Sequence, residues 1–349
     1  MFRNKFVFAF VVMMLPLFML PAWSSQQVEV HDPVMAKEGQ FYYVFSTGPG
    51  VTIYQSANKV DWQWVGRVFE EAPAWAYQQI PGFTGHLWAP EIFFKNGTYY
   101  LYYSVSAFGK NTSAIGVATN STLNPNDPNY RWLDHGPVLQ SVPNRDDWNA
   151  IDAGIIEDEN NQVWMSFGSF WDGIKLVKLD ESLLALAEPQ QWHSLSRRER
   201  GKYPDVSVAG NGAVEAPFIF HKEGWYYLFV SFDKCCRGAQ SDYKVVVGRS
   251  RQVGGPYLDK AGESLLSGGG TLVVEGDDDW VALGHNAVYE FDEQDWLVLH
   301  AYETADDAKQ KLRILPILWR NGWPTINRAD LNLYTTRLTN DGPPENKNR

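Results

Sequence analysis

The chain has 349 residues, a formal net charge of −11 and an apolar fraction of 44%, enough for one large domain or two ordinary ones with a sizeable core. The acidic balance argues against nucleic acid or an anionic membrane surface as a partner and leaves a neutral polysaccharide open. The only two cysteines are adjacent, Cys235 and Cys236, so the core and not a disulfide framework must hold the fold.

At the start, Arg3 and Lys5 precede an uncharged apolar run from Phe6 to Leu20, and Pro21-Ala22-Trp23-Ser24 offers small residues for cleavage after Ser24. That order reads as a secretory signal peptide over 1–24, with 25–349 as a single domain released outside the cytoplasm, extracellular or periplasmic. As a membrane anchor the run is short, about 15 residues against the ~20 that span a bilayer. In an oxidising compartment Cys235 and Cys236 either close a vicinal disulfide or stay reduced. Without C-x-x-C spacing or a histidine nearby in sequence, they do not suggest a zinc site.

From residue 31 onward one unit recurs five times. A short apolar segment with one polar residue is followed by a turn and then an aromatic strand. The copies begin at His31-Asp32-Pro33-Val34, Trp88-Ala89-Pro90-Glu91, Ile151-Asp152-Ala153-Gly154, Val214-Glu215-Ala216-Pro217 and Gly284-His285-Asn286-Ala287. The aromatic strands begin at Phe41, Thr98, Val163, Trp225 and Trp296, with turns at 37–40, 96–97, 160–161, 223–224 and near Gln294-Asp295. A third apolar strand follows in each copy. Aligned on the polar residue, the spacings are 59, 61, 63 and 70.

Units of about 60 residues, rich in strands and turns and without helical periodicity, predict an all-β five-bladed β-propeller. Neighbouring blades would pack through the Tyr-Tyr and Trp-Tyr runs, which accounts for most of the aromatic content. A β-sandwich would not explain a polar residue on the first strand of every copy.

The first strand of a propeller blade lines the central channel. One fixed polar position per blade would therefore form a ring of Asp32, Glu91, Asp152, Glu215 and His285. Converging carboxylates are costly unless solvated, hydrogen-bonded or functional, and they push one another's pKa values apart. Glycoside hydrolysis needs such a split pair, one acid and one base. No Ser-His-Asp spacing, phosphate loop or HExxH competes; Gly268-Gly269-Gly270 reads as a plain loop. Which two carboxylates act is open at this level.

The five segments resemble glycoside hydrolase family 43, and within it the arabinanases, over roughly residues 28–325. The resemblance is carried by His31-Asp32-Pro33, Trp88-Ala89-Pro90-Glu91, Asn149-Ala150-Ile151-Asp152, Val214-Glu215-Ala216-Pro217 and Gly284-His285-Asn286. It implies an inverting hydrolase of α-1,5-linked arabinofuranose chains, acting on plant cell-wall arabinan and arabino-oligosaccharides as a monomer. Asp32 would be the general base, Glu215 the general acid, and Asp152 the residue that raises and orients Glu215. Inversion would set the Asp32 and Glu215 carboxyls about 6.5–9.5 Å apart. Glu91 inherits no catalytic role and reads as structural. His285 resembles a central-channel residue beside a bound cation, often calcium, although the chemistry requires no cofactor. Since calcium collects about 6–8 oxygen ligands, one imidazole is a poor cage.

For substrate, Trp88 and Phe108 are the stacking candidates, with core packing as the alternative for each. Asn149, Ala150 and Ile151 flank Asp152, and Ser169, Phe170 and Trp171 end the next strand. Both segments are expected to line the cleft, with Thr112 and Ser113 as further contacts from blade two. His31 either touches sugar or holds Asp32. Rival readings are a β-xylosidase or α-arabinofuranosidase on the same scaffold, a retaining fructosidase, and a non-catalytic sugar-binding propeller. The fructosidase opening differs from His31-Asp32-Pro33-Val34, and a binding module would have no need of all three acids. The family's commoner habit favours endo cleavage. A wall from the 304–311 insertion or Glu29 would instead enforce exo release.

Overall fold

Tight turns set the hairpins. Asn96-Gly97 and Glu223-Gly224 both carry positive φ at their two central residues, the geometry that matches the twist of the flanking strands. In the fifth copy the turn falls on Asp292-Glu293, two residues before the expected place, again with both φ positive. The computed structural model describes residues 26–201 and 208–343, so the expected signal peptide at 1–24 lies outside the described residues. Among those described, no helix is long and apolar enough to cross a membrane.

The hairpins extend into five antiparallel blades, the all-β five-bladed propeller that the repeat predicts. Blade 1 is Val34–Glu38, Phe41–Ser46, Thr52–Ser56 and Asp61–Arg67. Blade 2 is His86–Lys95, Thr98–Val105, Ser113–Asn120 and Leu133–Ser141. Blade 3 is Gly154–Glu157, Val163–Phe167, Ile174–Lys178 and Trp192–Ser196. Blade 4 is Val214–Lys222, Trp225–Phe232, Lys244–Ser250 and Thr271–Val274. Blade 5 has three strands of its own, Trp280–Phe291, Gln294–Glu303 and Lys309–Pro316.

The open edge of blade 5 is closed from both ends of the described chain. Leu312 N–H donates to the Val28 carbonyl at 2.9 Å, Glu29 bridges Lys311, and Thr335 bridges Arg313. Arg337–Leu338 then runs parallel to the outer strand of blade 1, and Leu338 N–H reaches the Gln26 carbonyl. These contacts knit the first and last blades together and leave no long bare edge at the seam.

Aromatic side chains fill the spaces between blades, as the Tyr-rich strands predict. Tyr43, Phe45, Tyr103, Phe167, Tyr227 and Phe229 are fully enclosed. Each such burial stabilises the fold by about 1.5–3 kcal/mol relative to exposure. Tyr102 packs among blade 3 residues and donates its hydroxyl to the Leu183 carbonyl at 2.7 Å.

The first strands do not run straight to the hub. Register jumps between Trp88 and Glu91, between Glu215 and Phe218, and between Gly284 and Ala287. Within each jump one residue is left-handed: Ala89, Ala216 and His285, at φ of 43°, 53° and 50°. Asp32 and Asp152 occupy the same place in blades 1 and 3, at 53° and 60°. A left-handed conformation at a non-glycine residue costs about 1–2 kcal/mol, so something must hold it. In every blade the N–H of this residue is caught by the preceding blade. His300 Nδ1 accepts from Asp32, Thr47 from Ala89, Ser104 from Asp152, Asp152 itself from Ala216, and Ser231 from His285, all at 2.8–3.1 Å.

This corrects the expected ring of five polar residues. The level shared by all blades holds Asp32, Ala89, Asp152, Ala216 and His285. Glu215 stands one residue before it, level with Trp88, and Glu91 stands two residues past it, level with Phe218. An alignment on polarity alone misses the one extra residue that the bulge adds to the first strand of blades 2 and 4.

Candidate active site

Asp32, Asp152 and Glu215 gather where the first strands meet the hub, close enough that Asp152 accepts the Ala216 N–H and feels the charges of both other acids. Asp32 is 7% exposed. Its Oδ1 faces three imidazoles, with His31 Nδ1 at 2.6 Å, His285 Nδ1 at 3.1 Å and His300 Nδ1 at 3.7 Å. Thr47 donates its hydroxyl to Oδ2 at 2.5 Å. Burial alone would raise this carboxyl. The charges of His285 and His31, the His31 hydrogen bond and then His300 outweigh it and hold Asp32 far below the carboxylate range. It stays ionised at a pH where an ordinary carboxyl begins to take up its proton.

The other two acids behave in the opposite way. Burial lifts Asp152, and the neighbouring charges of Glu215 and Asp32 lift it further, against the Ala216 N–H that it accepts. Burial also lifts Glu215, opposed by the Ser169 and Tyr243 hydroxyls. The pair therefore keeps a proton at a pH where an ordinary carboxyl has lost it. Ser169 donates to Glu215 Oε2 at 2.7 Å. Glu215 stays partly exposed, whereas Asp152 is buried.

Blade 3 explains why Asp152 must do structural work as well. At or near the ends of the second strands of the other blades stand Thr47, Ser104, Ser231 and His300, whose side chains catch the next blade's left-handed N–H. Blade 3 has Gly168 there, at φ 127°, with the Gly173 carbonyl 2.6 Å from where a Cβ would stand. No side chain fits, and the Asp152 carboxylate takes over.

Among the expected substrate contacts, Trp88 is half-buried at the level of Glu215, facing the same mouth. Phe108 is 82% exposed in the loop after the second strand of blade 2, which excludes the core-packing alternative. Thr112 is half-buried. Ser113 is fully enclosed, with its hydroxyl 2.7 Å from that of Ser106, so it braces the wall from behind rather than facing sugar. Asn149 and Ala150 are buried; Ala150 N–H donates to Ser141, while Asn149 Oδ1 has no protein partner. The Ile151 carbonyl accepts from Gly168. Phe170 is half-buried and Trp171 buried, both left-handed in the tight 168–173 loop. Trp171 therefore packs inside the loop instead of presenting a ring face.

Four participants escaped the sequence reading: Thr47, His300, Tyr302 and Tyr243. Tyr302 hydroxyl lies 2.9 Å from His31 Nε2, and His300 stacks on His31 at 4.1 Å between ring centres. Thr47 and His300 lie at the inner ends of second strands, so aligning those strand ends as well as the first strands would have found them.

Glu91 points away from this group. It is 2% exposed and lines a cavity of about 310 Å³ at the far end of the channel, walled by Met35, Ile92, Ile155, Phe218 and Val288. Burial raises its carboxyl well above the usual range, against N–H bonds from Ile155 and Ile92. His285 presents Nδ1 to Asp32 and belongs to neither triad of potential metal ligands among the described residues, His31–Asp32–His300 and His31–Cys235–Cys236. A hub of imidazole nitrogens around one carboxylate does not fit a protein-built calcium cage, which is made of oxygens.

The comparisons agree with this architecture. An extracellular exo-α-(1→5)-L-arabinofuranosidase, ArbA, of Cellvibrio japonicus is 55% identical, over 90% of this chain and 91% of its own. An extracellular endo-α-(1→5)-L-arabinanase of Bacillus subtilis is 38% identical, over 87% and 89% respectively. The solved α-L-arabinanase of Cellvibrio cellulosa in complex with arabinohexaose superposes with a TM-score of 0.88 at 55% identity, covering 90% of this chain and all of that one. Residues 26–324 match glycosyl hydrolases family 43, and the chain belongs to that family.

Proposed function

We propose that the protein is a secreted, monomeric hydrolase that cleaves α-1,5-linked L-arabinofuranosyl bonds of arabinan with inversion, working from a chain end. The observation that carries the chemistry is the opposed titration of the three hub acids. Asp32 is held ionised by imidazoles, while the Asp152–Glu215 pair keeps a proton. Asp32 takes a proton from the water that attacks the anomeric carbon. Glu215 gives its proton to the departing glycosidic oxygen, with Ser169 fixing Oε2 so that the other oxygen faces the bond. Asp152 holds the Ala216 backbone and so aims Glu215.

Trp88 and Phe108 supply apolar faces for the sugar rings, and Thr112, Asn149, Phe170 and the Ile151 segment shape the cleft around them. No step needs a cation at His285. Secretion is supported by the leader-like residues 1–24 and by relatives named as extracellular.

Chain-end action is favoured by a braced wall. Lys311 Nζ lies 3.2 Å from Glu29 Oε1 and 2.6 Å from Asp306 Oδ2, and Lys309 adds a contact to Asp306 at 3.1 Å. This network ties the 304–308 loop to the segment that leads into His31 and Asp32. The relative named for exo action also shares the larger identity. Products from linear arabinan, followed over time, test the reading. A single short product from the first minutes is expected, and a descending ladder of intermediate lengths overturns the exo assignment. No hydrolysis of arabinan at all overturns the substrate.

A further inference from the structure

Cys235 and Cys236 are bonded to each other in the loop between strands Trp225–Phe232 and Lys244–Ser250, on the same face as the catalytic acids. The histidine that the local sequence lacks comes from blade 1. Cys236 Sγ lies 3.8 Å from His31 Nε2, and the ligand atoms of His31, Cys235 and Cys236 all lie within 4.8 Å of one another. Cys236 is exposed, and Cys235 and His31 are half-buried, so solvent reaches the group. Cys236 N–H donates to the Tyr302 hydroxyl, which also meets His31 Nε2. The loop is thus fixed against the imidazole.

His31 is already set as a metal-ligating histidine is set. Its Nδ1 faces Asp32 Oδ1 at 2.6 Å, which turns Nε2 toward the two sulfurs. A tetrahedral zinc with Zn–S near 2.3 Å and Zn–N near 2.0 Å places its ligands about 3.5–3.8 Å apart, the scale of the Cys236–His31 separation, and the two sulfurs must part on reduction to match it. While the sulfurs are bonded to each other they offer no thiolate.

We propose that reduction of the Cys235–Cys236 bond uncovers a site for one thiophilic divalent cation, zinc or cadmium, held by His31 and the two thiolates, and that its occupation shuts down hydrolysis. In the reduction a trialkylphosphine and one water convert the disulfide to two thiols and a phosphine oxide. Cation binding then releases the two thiol protons. A dication on His31 Nε2 stands one imidazole away from Asp32, takes the place of the Tyr302 hydroxyl on that nitrogen and fills the edge of the cleft. The inhibition rests on the hub being the site of hydrolysis, as proposed above; the binding does not.

The test uses the full chain, phosphine-reduced and then freed of reductant without air, beside the untreated chain. On titration with cadmium, the reduced protein should gain ultraviolet thiolate-to-cadmium absorbance saturating at one ion per chain, and arabinan hydrolysis should fall by at least about 10-fold, reversed by a chelator. The untreated protein should show neither change. A Cys235→Ser, Cys236→Ser double variant also lacks the disulfide and so controls for a loosened loop; it should bind no cadmium and lose no activity on cadmium addition. Absence of the absorbance in reduced protein whose melting curve shows it folded overturns the site. Equal inhibition of the untreated protein, or full activity with one cadmium bound, overturns the proposed coupling. Failure of the functional reading is seen separately, as an Asp32→Asn variant that still hydrolyses arabinan without any metal present.

Discussion

Asp152 Oδ2 accepts the backbone N–H of Ala216 at 3.1 Å and so holds the residue that follows Glu215. One carboxyl thereby fixes the chain at the acid and also shares its proton. The two roles separate by substitution. Asp152→Asn keeps an acceptor and loses the charge; Asp152→Ala loses both and leaves a buried N–H unpaired, at about 1–3 kcal/mol. The thermal midpoint should fall clearly for Asp152→Ala and little for Asp152→Asn. In wild type, activity is lost as pH rises through the raised titration of the pair, whereas Asp32 adds no acid limb in the ordinary carboxyl range. In kcat/KM profiles the alkaline limb should move to lower pH in both variants, because Glu215 then titrates without its partner.

His300 tests how the base is aimed. It is 0% exposed, and its Nδ1 takes the N–H of the left-handed Asp32. His300→Ala should reduce kcat by on the order of 10–100-fold through misplacement of Asp32, with KM little changed. His300→Asn, which restores an acceptor, should recover most of that loss. Steady-state kinetics of the two variants, with melting curves, provide the comparison.

Phe108 stands exposed in the loop between the second and third strands of blade 2. A stacking platform that binds ground state and transition state alike affects KM alone. Phe108→Ala should raise KM on arabino-oligosaccharides by about 2–10-fold, an aromatic contact being worth about 0.5–1.5 kcal/mol. Unchanged KM on oligosaccharides of every length would remove Phe108 from the binding surface.

Glu91 is a stability group. Its folded titration lies above the unfolded one, so its contribution is fully present below the unfolded carboxyl pKa and is lost as pH rises through the folded value. Glu91→Gln retains an oxygen for Ile155 and Ile92 and removes the ionisation. Its melting temperature should match wild type in acid and exceed it in alkali by a few degrees, about 2–4 °C per kcal/mol for a domain of roughly this size. Hydrolysis should be unaffected.

The repeat was legible because each blade cannot cover its own faces, which forces one pattern of turn and aromatic strand on five segments. Asp32, Asp152 and Glu215 were visible as polar residues inside apolar strands. Their true levels were not, since a bulge adds residues without changing composition, and polarity alone set Glu91 in a ring it does not join. Ser113, at the start of a strand, and Trp171, in a tight loop, read as cleft contacts because sequence carries no sign of depth at either place. Thr47, His300 and the approach of His31 to Cys236 depend on blades meeting across the closed ring, and no local pattern encodes that meeting.

The central claim is that Asp32 activates water against a bond whose oxygen Glu215 protonates from the other side. Proton NMR of the first product formed, recorded before mutarotation, tests it most directly. The account predicts β-L-arabinofuranose at the newly formed reducing end from an α-linked substrate. An initial α anomer would contradict it, because retention requires a covalent step for which Asp32, as a base, has no part.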